Sequence, residues 1–142
     1  MSTFDLTITK TIPASPQTVF EAWLSPKALA SFMTPAAGMS VVKAESDGKE
    51  GGAFLVVMKA GEQELPHSGV YRTIRRYELL EFTWNNPFND VESIVTISFA
   101  EEGEGQTMLT LRHTGLATEE SRNNHKGGWT AIVEALVAML GA

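Results

Sequence analysis

Thr118-Glu119-Glu120-Ser121-Arg122-Asn123-Asn124-His125-Lys126-Gly127-Gly128-Trp129-Thr130-Ala131-Ile132-Val133-Glu134-Ala135-Leu136-Val137-Ala138-Met139-Leu140-Gly141-Ala142 is a helical segment around which the rest of the chain is organised. His125, Trp129, Ile132, Val133, Leu136, Val137 and Leu140 recur at spacings of three and four, which lays them along one face of a helix. Thr118 stands as N-cap, and Glu119 and Glu120 place negative charge where the helix dipole favours it. Gly141 offers a stop. No other part of the sequence carries so long a helical pattern. Gly127-Gly128 interrupts it just before Trp129, at about 1 kcal/mol per glycine relative to alanine. That pair predicts a bend, or a close approach of helix and sheet. A stripe this wide needs a large apolar surface to lie on.

The preceding chain supplies strands. Phe4, Leu6, Ile8 and Ile12 alternate with polar residues as a half-buried first strand. Ser15-Pro16 and Ser25-Pro26 each pair an N-cap with a proline at the first helical position, so two short helices follow. Strands are then predicted over 39–44, 53–59, 68–76, 79–84, 91–99 and 107–113, with short turns between them. Such spacing indicates an antiparallel sheet with one covered face. The fold class is α+β, a helix-grip arrangement of about six or seven strands curved around the C-terminal helix. That architecture leaves an internal space, which is the first hint of function.

At 142 residues the chain is read as a single domain, 1–142. Its net charge of −6 argues against nucleic acid and against an anionic membrane surface. The absence of cysteine removes disulfides and thiolate chemistry, and is compatible with a reducing cytoplasm. The start of the chain lacks the basic-then-apolar pattern of a signal peptide, and no run is long enough for a membrane span. A cytoplasmic protein, monomeric or homodimeric, is the expectation.

Several segments resemble a known family. Pro13-Ala14-Ser15-Pro16 followed by Val19-Phe20-x-Ala22-Trp23 is similar to the opening of the START-like, Bet v 1-like superfamily (SRPBCC), and more closely to its activator of Hsp90 ATPase homologue 1-like (AHSA1) branch. Gly51-Gly52-Ala53-Phe54, Gly69-x-Tyr71 and Leu80-x-Phe82-Thr83-Trp84 resemble that branch's central strands. Leu109-Thr110-Leu111-x-His113-Thr114-Gly115-Leu116 and His125-x-Gly127-x-Trp129 resemble its end. Two departures stand out. Phe32-Met33-Thr34-Pro35 replaces a tryptophan followed by proline, a change expected at the cavity mouth. Arg75-Arg76-Tyr77-Glu78 replaces a Pro-Pro-Glu turn. The resemblance implies a helix-grip fold with a deep apolar cavity. It also implies binding of lipids, hormones or polyketides in some members and cyclisation or hydration in others, a choice that fold alone does not make.

No catalytic pattern emerges from the residues. There is no His-x-x-x-His, Gly-x-Ser-x-Gly or P-loop spacing, no carboxylate pair is evident, and neither metal nor cofactor is expected. His113 and His125 read first as structural, with ligand contact as the alternative, and His67 reads as a loop-edge residue. Arg72, Glu81 and Glu92 are expected outward or at a rim. Aromatic residues sit on every element that borders the interior: Phe20, Trp23, Phe32, Tyr71, Trp84 and Trp129 are assigned to the walls of a pocket. Val56, Met58, Val95, Ile97 and Leu111 from the strands, with His113 and Val133, complete the candidate ligand-binding set. The segments Asn85–Asp90 and Phe32–Pro35 are expected to gate the mouth.

Binding of a small hydrophobic or amphipathic molecule is thus the leading function. The alternatives are a cyclase- or hydratase-type enzyme using His113, Arg72, Tyr71 or His125, and an Hsp90 co-chaperone. The last is disfavoured because nothing here supplies the second domain of the eukaryotic co-chaperone.

Overall fold

A computed structural model describes residues 4–34, 38–86 and 89–141, leaving aside the side chains of 86–92. Strand β1 (Phe4–Ile12) leads into two short helices, α1 (Pro16–Leu24) and α2 (Pro26–Phe32). Ser15 Oγ accepts from the Thr18 amide at 3.3 Å and Ser25 Oγ from the Ala28 amide at 3.3 Å, so both helices start at the Ser-Pro signals. Six further strands follow: β2 (Met39–Ser46), β3 (Ala53–Ala60), β4 (Gln63–Arg75), β5 (Leu79–Asn86), β6 (Asn89–Glu101) and β7 (Thr107–Leu116). Helix α3 (Glu119–Gly141) ends the chain, with Thr118 Oγ1 accepting from the Ser121 amide at 3.0 Å.

The strands form one antiparallel sheet in the order β1-β7-β6-β5-β4-β3-β2. α3 packs against β1 at one edge, α2 packs against β2 at the other, and α2 touches α3. The helices therefore span the sheet's covered face from edge to edge. Alternation decides which side chains meet them. Leu80, Phe82 and Trp84 of β5 are buried, as are Val95, Ile97 and Phe99 of β6 and Leu109, Leu111 and His113 of β7. Trp129, Ile132, Val133 and Leu136 of α3 close on them. Registers such as Phe82↔Val95 and Ile97↔Leu111 bring these inward residues side by side.

Gly69 answers a close approach. A Cβ there would overlap the Thr83 carbonyl oxygen and the Phe54 ring. At Gly127 nothing lies within 4 Å of where a Cβ would stand, so that member of the glycine pair makes no close approach.

Strands run further than side-chain alternation suggests, because backbone pairing continues where the apolar pattern stops. β4 begins at Gln63 rather than 68 and contains Pro66, opposite Val57. Pairing of β4 with β5 starts only at Ser68, so this stretch has β3 as its one neighbour and tolerates a proline. The expected 85–90 loop is shorter: Asn86 pairs with Asn89 across the hairpin, and Pro87 and Phe88 lie outside the described residues. Pro35 and the side chain of Glu92 also lie outside them. Phe32 and Met33, assigned to a gate, are buried. No described helix is long and apolar enough to cross a membrane.

Candidate functional site

The centre of the interior is a chain of hydrogen bonds that joins α3 to three strands. Trp129 Nε1 lies 2.9 Å from His113 Nδ1. An indole nitrogen only donates, so Nδ1 accepts and carries no proton. His113 Nε2 then holds the proton of the neutral ring and donates to Ser93 Oγ at 2.7 Å. Ser93 in turn donates to the Trp84 carbonyl at 3.0 Å. Burial, reinforced by the charge of His125, pushes His113 down to about 3, which keeps the ring neutral. This direction of donation has a chemical consequence. Ser93 and His113 look like a nucleophile and its base, but the imidazole gives its proton to the serine instead of taking one. Both side chains are buried as well. The pair is structural, and it pins the tryptophan of α3 over the sheet.

Beside this chain lies a pocket of about 160 Å³. β3, β4 and β5 contribute Met58, His67 and Trp84 to it. α3 contributes Asn124, His125, Gly128, Trp129 and Ile132. Trp84 and Trp129 pack against each other with ring centroids 4.8 Å apart, and His67 stacks on Trp84 at 5.0 Å. The walls are mostly apolar, with polar atoms from two histidines and one asparagine.

The two histidines are oriented by carbonyls. His67 Nδ1 lies 3.0 Å from the Leu65 carbonyl and His125 Nδ1 lies 2.8 Å from the Ser121 carbonyl. A carbonyl only accepts, so each Nδ1 donates. Burial lowers His67 to about 4, against the opposing Leu65 hydrogen bond and with a further lowering from the charge of His125.

A second, smaller void of about 10 Å³, room for about one water, lies across the aromatic layer. Trp23, Leu29, Met33, Phe54, Tyr71 and Phe82 line it. Trp23 and Trp129 bridge the two spaces with centroids 6.3 Å apart. The Tyr71 hydroxyl lies 2.7 Å from Ser46 Oγ. The buried indole N–H groups of Trp23 and Trp84 have no hydrogen-bond partner among the described residues.

The expected site residues thus divide. Met58, Trp84 and Trp129 line the larger pocket, while Trp23 and Tyr71 line the small void. Phe20, Phe32, Val56, Val95, Ile97, Leu111 and Val133 are buried and line neither. His113 is one contact behind the wall, through Trp129. Arg72 is exposed and lies 4.0 Å from Glu81. Sequence reasoning passed over Asn124, Gly128 and Ile132 as pocket residues. Their spacing, with His125 and Trp129, marks one flank of the apolar stripe, which was the available signal. His67 was hidden by Pro66, which makes a strand look like a loop. Among the described residues no group of three or more histidine or acidic side chains could hold a metal ion.

Residues 13–141 match the family described as Activator of Hsp90 ATPase homolog 1-like protein. A solved protein of Chromobacterium violaceum superposes with a TM-score of 0.88 at 25% identity, over 97% of this chain and 98% of that one. An AHSA1 protein of Silicibacter pomeroyi gives 0.82 at 28% identity, over 97% and 98%. An AHSA1-like protein of Aeromonas hydrophila gives 0.81 at 20% identity, over 95% and 90%, a likeness of fold alone. No curated protein matches the chain.

Proposed function

We propose that this chain, which belongs to the Activator of Hsp90 ATPase homolog 1-like family, binds a small hydrophobic or amphipathic molecule between β3–β5 and α3. The observation that carries the reading is the pocket of about 160 Å³ walled by Met58, Trp84, Trp129 and Ile132. An apolar cavity of about 150 Å³ accepts a benzene-sized molecule. The occupant is therefore about one ring, or a short chain, in size. Anything larger extends out of the pocket's open side or requires the aromatic layer to move. The family fold, which commonly holds ligands in a cavity, supports the same reading. Native mass spectrometry of freshly purified protein tests it. A retained small molecule is expected. Bare protein whose melting temperature also ignores a panel of one-ring aromatics and short alcohols overturns it.

An enzymatic reading has a narrower base. Of the four residues considered for chemistry, His125 lines the pocket, His113 and Tyr71 do not, and Arg72 is exposed. An Hsp90-directed role rests on the family's name. Failure of immobilised Hsp90 to retain the protein disposes of it.

A further inference from the structure

His67 lines the pocket and carries a hydrogen-bond acceptor that the protein does not use. Its Nδ1 donates to the Leu65 carbonyl at 3.0 Å, so in the neutral ring Nε2 carries a lone pair. No protein group hydrogen-bonds to that nitrogen among the described residues. The ring cannot turn freely, because it stacks on Trp84 with planes 29° apart at 5.0 Å. The surrounding wall is apolar at Met58, Trp84, Trp129 and Ile132, with Asn124 and His125 as its other polar members. A fixed acceptor in a mostly apolar pocket selects a ligand by its donor, since a donor-bearing ligand completes the bond while an apolar one leaves the nitrogen desolvated and unpaired.

We propose that the pocket recognises a one-ring aromatic or similarly small apolar body carrying a hydroxyl or N–H donor, which bonds to His67 Nε2. This rests on the reading of the pocket as a ligand site. It adds a polarity requirement that the apolar reading does not contain, because a purely apolar pocket prefers the more hydrophobic of two molecules of equal size.

Phenol and toluene differ only by hydroxyl against methyl, and both fit the volume. Calorimetric titration of the full chain with each, in wild type and in His67→Phe, separates the outcomes. The phenylalanine keeps a ring against Trp84 and removes the acceptor. In wild type, phenol is expected to bind at least as tightly as toluene. In His67→Phe, toluene is expected to bind about as before, and the phenol-to-toluene affinity ratio is expected to fall about tenfold. An unchanged ratio overturns the assignment to His67 while leaving the pocket a ligand site. Binding of neither molecule to wild type removes the ligand site itself, and this proposal with it. A second readout uses wild type alone: the nitrogen resonance of His67 Nε2 is expected to shift with phenol and not with toluene. Equal response to both contradicts the proposal even if the variant fails to fold.

Discussion

Trp129 Nε1 ends 2.9 Å from His113 Nδ1, and this one bond decides the tautomer of the buried histidine and the seat of α3 on the sheet. Trp129→Phe keeps an aromatic ring but strands Nδ1 as a buried unpaired acceptor and opens a void. A loss of about 3 kcal/mol is expected in urea unfolding monitored by far-ultraviolet dichroism. A loss below about 0.5 kcal/mol, the range of an ordinary surface change, means the bond does not hold the helix.

Acid should weaken the fold through His113. Its ordinary value is 6.5, and burial lowers it to about 3 in the folded protein. Between these values the unfolded chain binds a proton and the folded chain does not, so stability falls as pH drops from about 6.5 towards 3. At pH 4 the expected loss from this group is on the order of 3 kcal/mol relative to pH 7. His67, also lowered, acts in the same direction. Denaturation midpoints across this range should slope less in His113→Gln, which has nothing to titrate. An identical slope in the variant contradicts the attribution.

Two glycines predict opposite results. Gly69→Ala forces a Cβ onto the Thr83 carbonyl and the Phe54 ring, and should cost several kcal/mol, at or above the usual range for a single substitution. Gly127→Ala meets nothing within 4 Å and lies inside α3, so it should stabilise by about 1 kcal/mol. Thermal melts of the two variants read both signs.

Pocket size should follow Met58. This side chain is buried and lines the space on the sheet side. Met58→Ala is expected to cost about 2–5 kcal/mol and to enlarge the pocket. Two-ring aromatics should then bind more tightly relative to one-ring aromatics than they do in wild type. Competition titrations check this, and an unchanged order means the pocket does not select by volume.

Much of the fold is legible in the sequence because its signals are local. Ser15-Pro16 and Ser25-Pro26 fix two helix starts by capping chemistry. The alternation through Leu80-Phe82-Trp84 and Ser93-Val95-Ile97-Phe99 fixes the inward faces, since a slip of one residue would turn every one of them to solvent. The site is less legible. Phe20, Val56 and Ile97 have the same character as Met58 and Ile132, yet the first three fill the core and the last two border a space. That difference is a matter of how neighbouring volumes add up, which no single position encodes. His67 shows the other obstacle. Its role depends on β4 extending past Pro66 along β3, a pairing that local propensity argues against.

Whether the space beside Trp84 and Trp129 takes up a small molecule can be read from the three indole N–H resonances during titration with a one-ring aromatic. Saturable shifts are expected for Trp84 and Trp129, with a smaller response from Trp23 on the far side of the aromatic layer. Indole signals that stay fixed, or that drift linearly without saturation up to the solubility limit, contradict uptake.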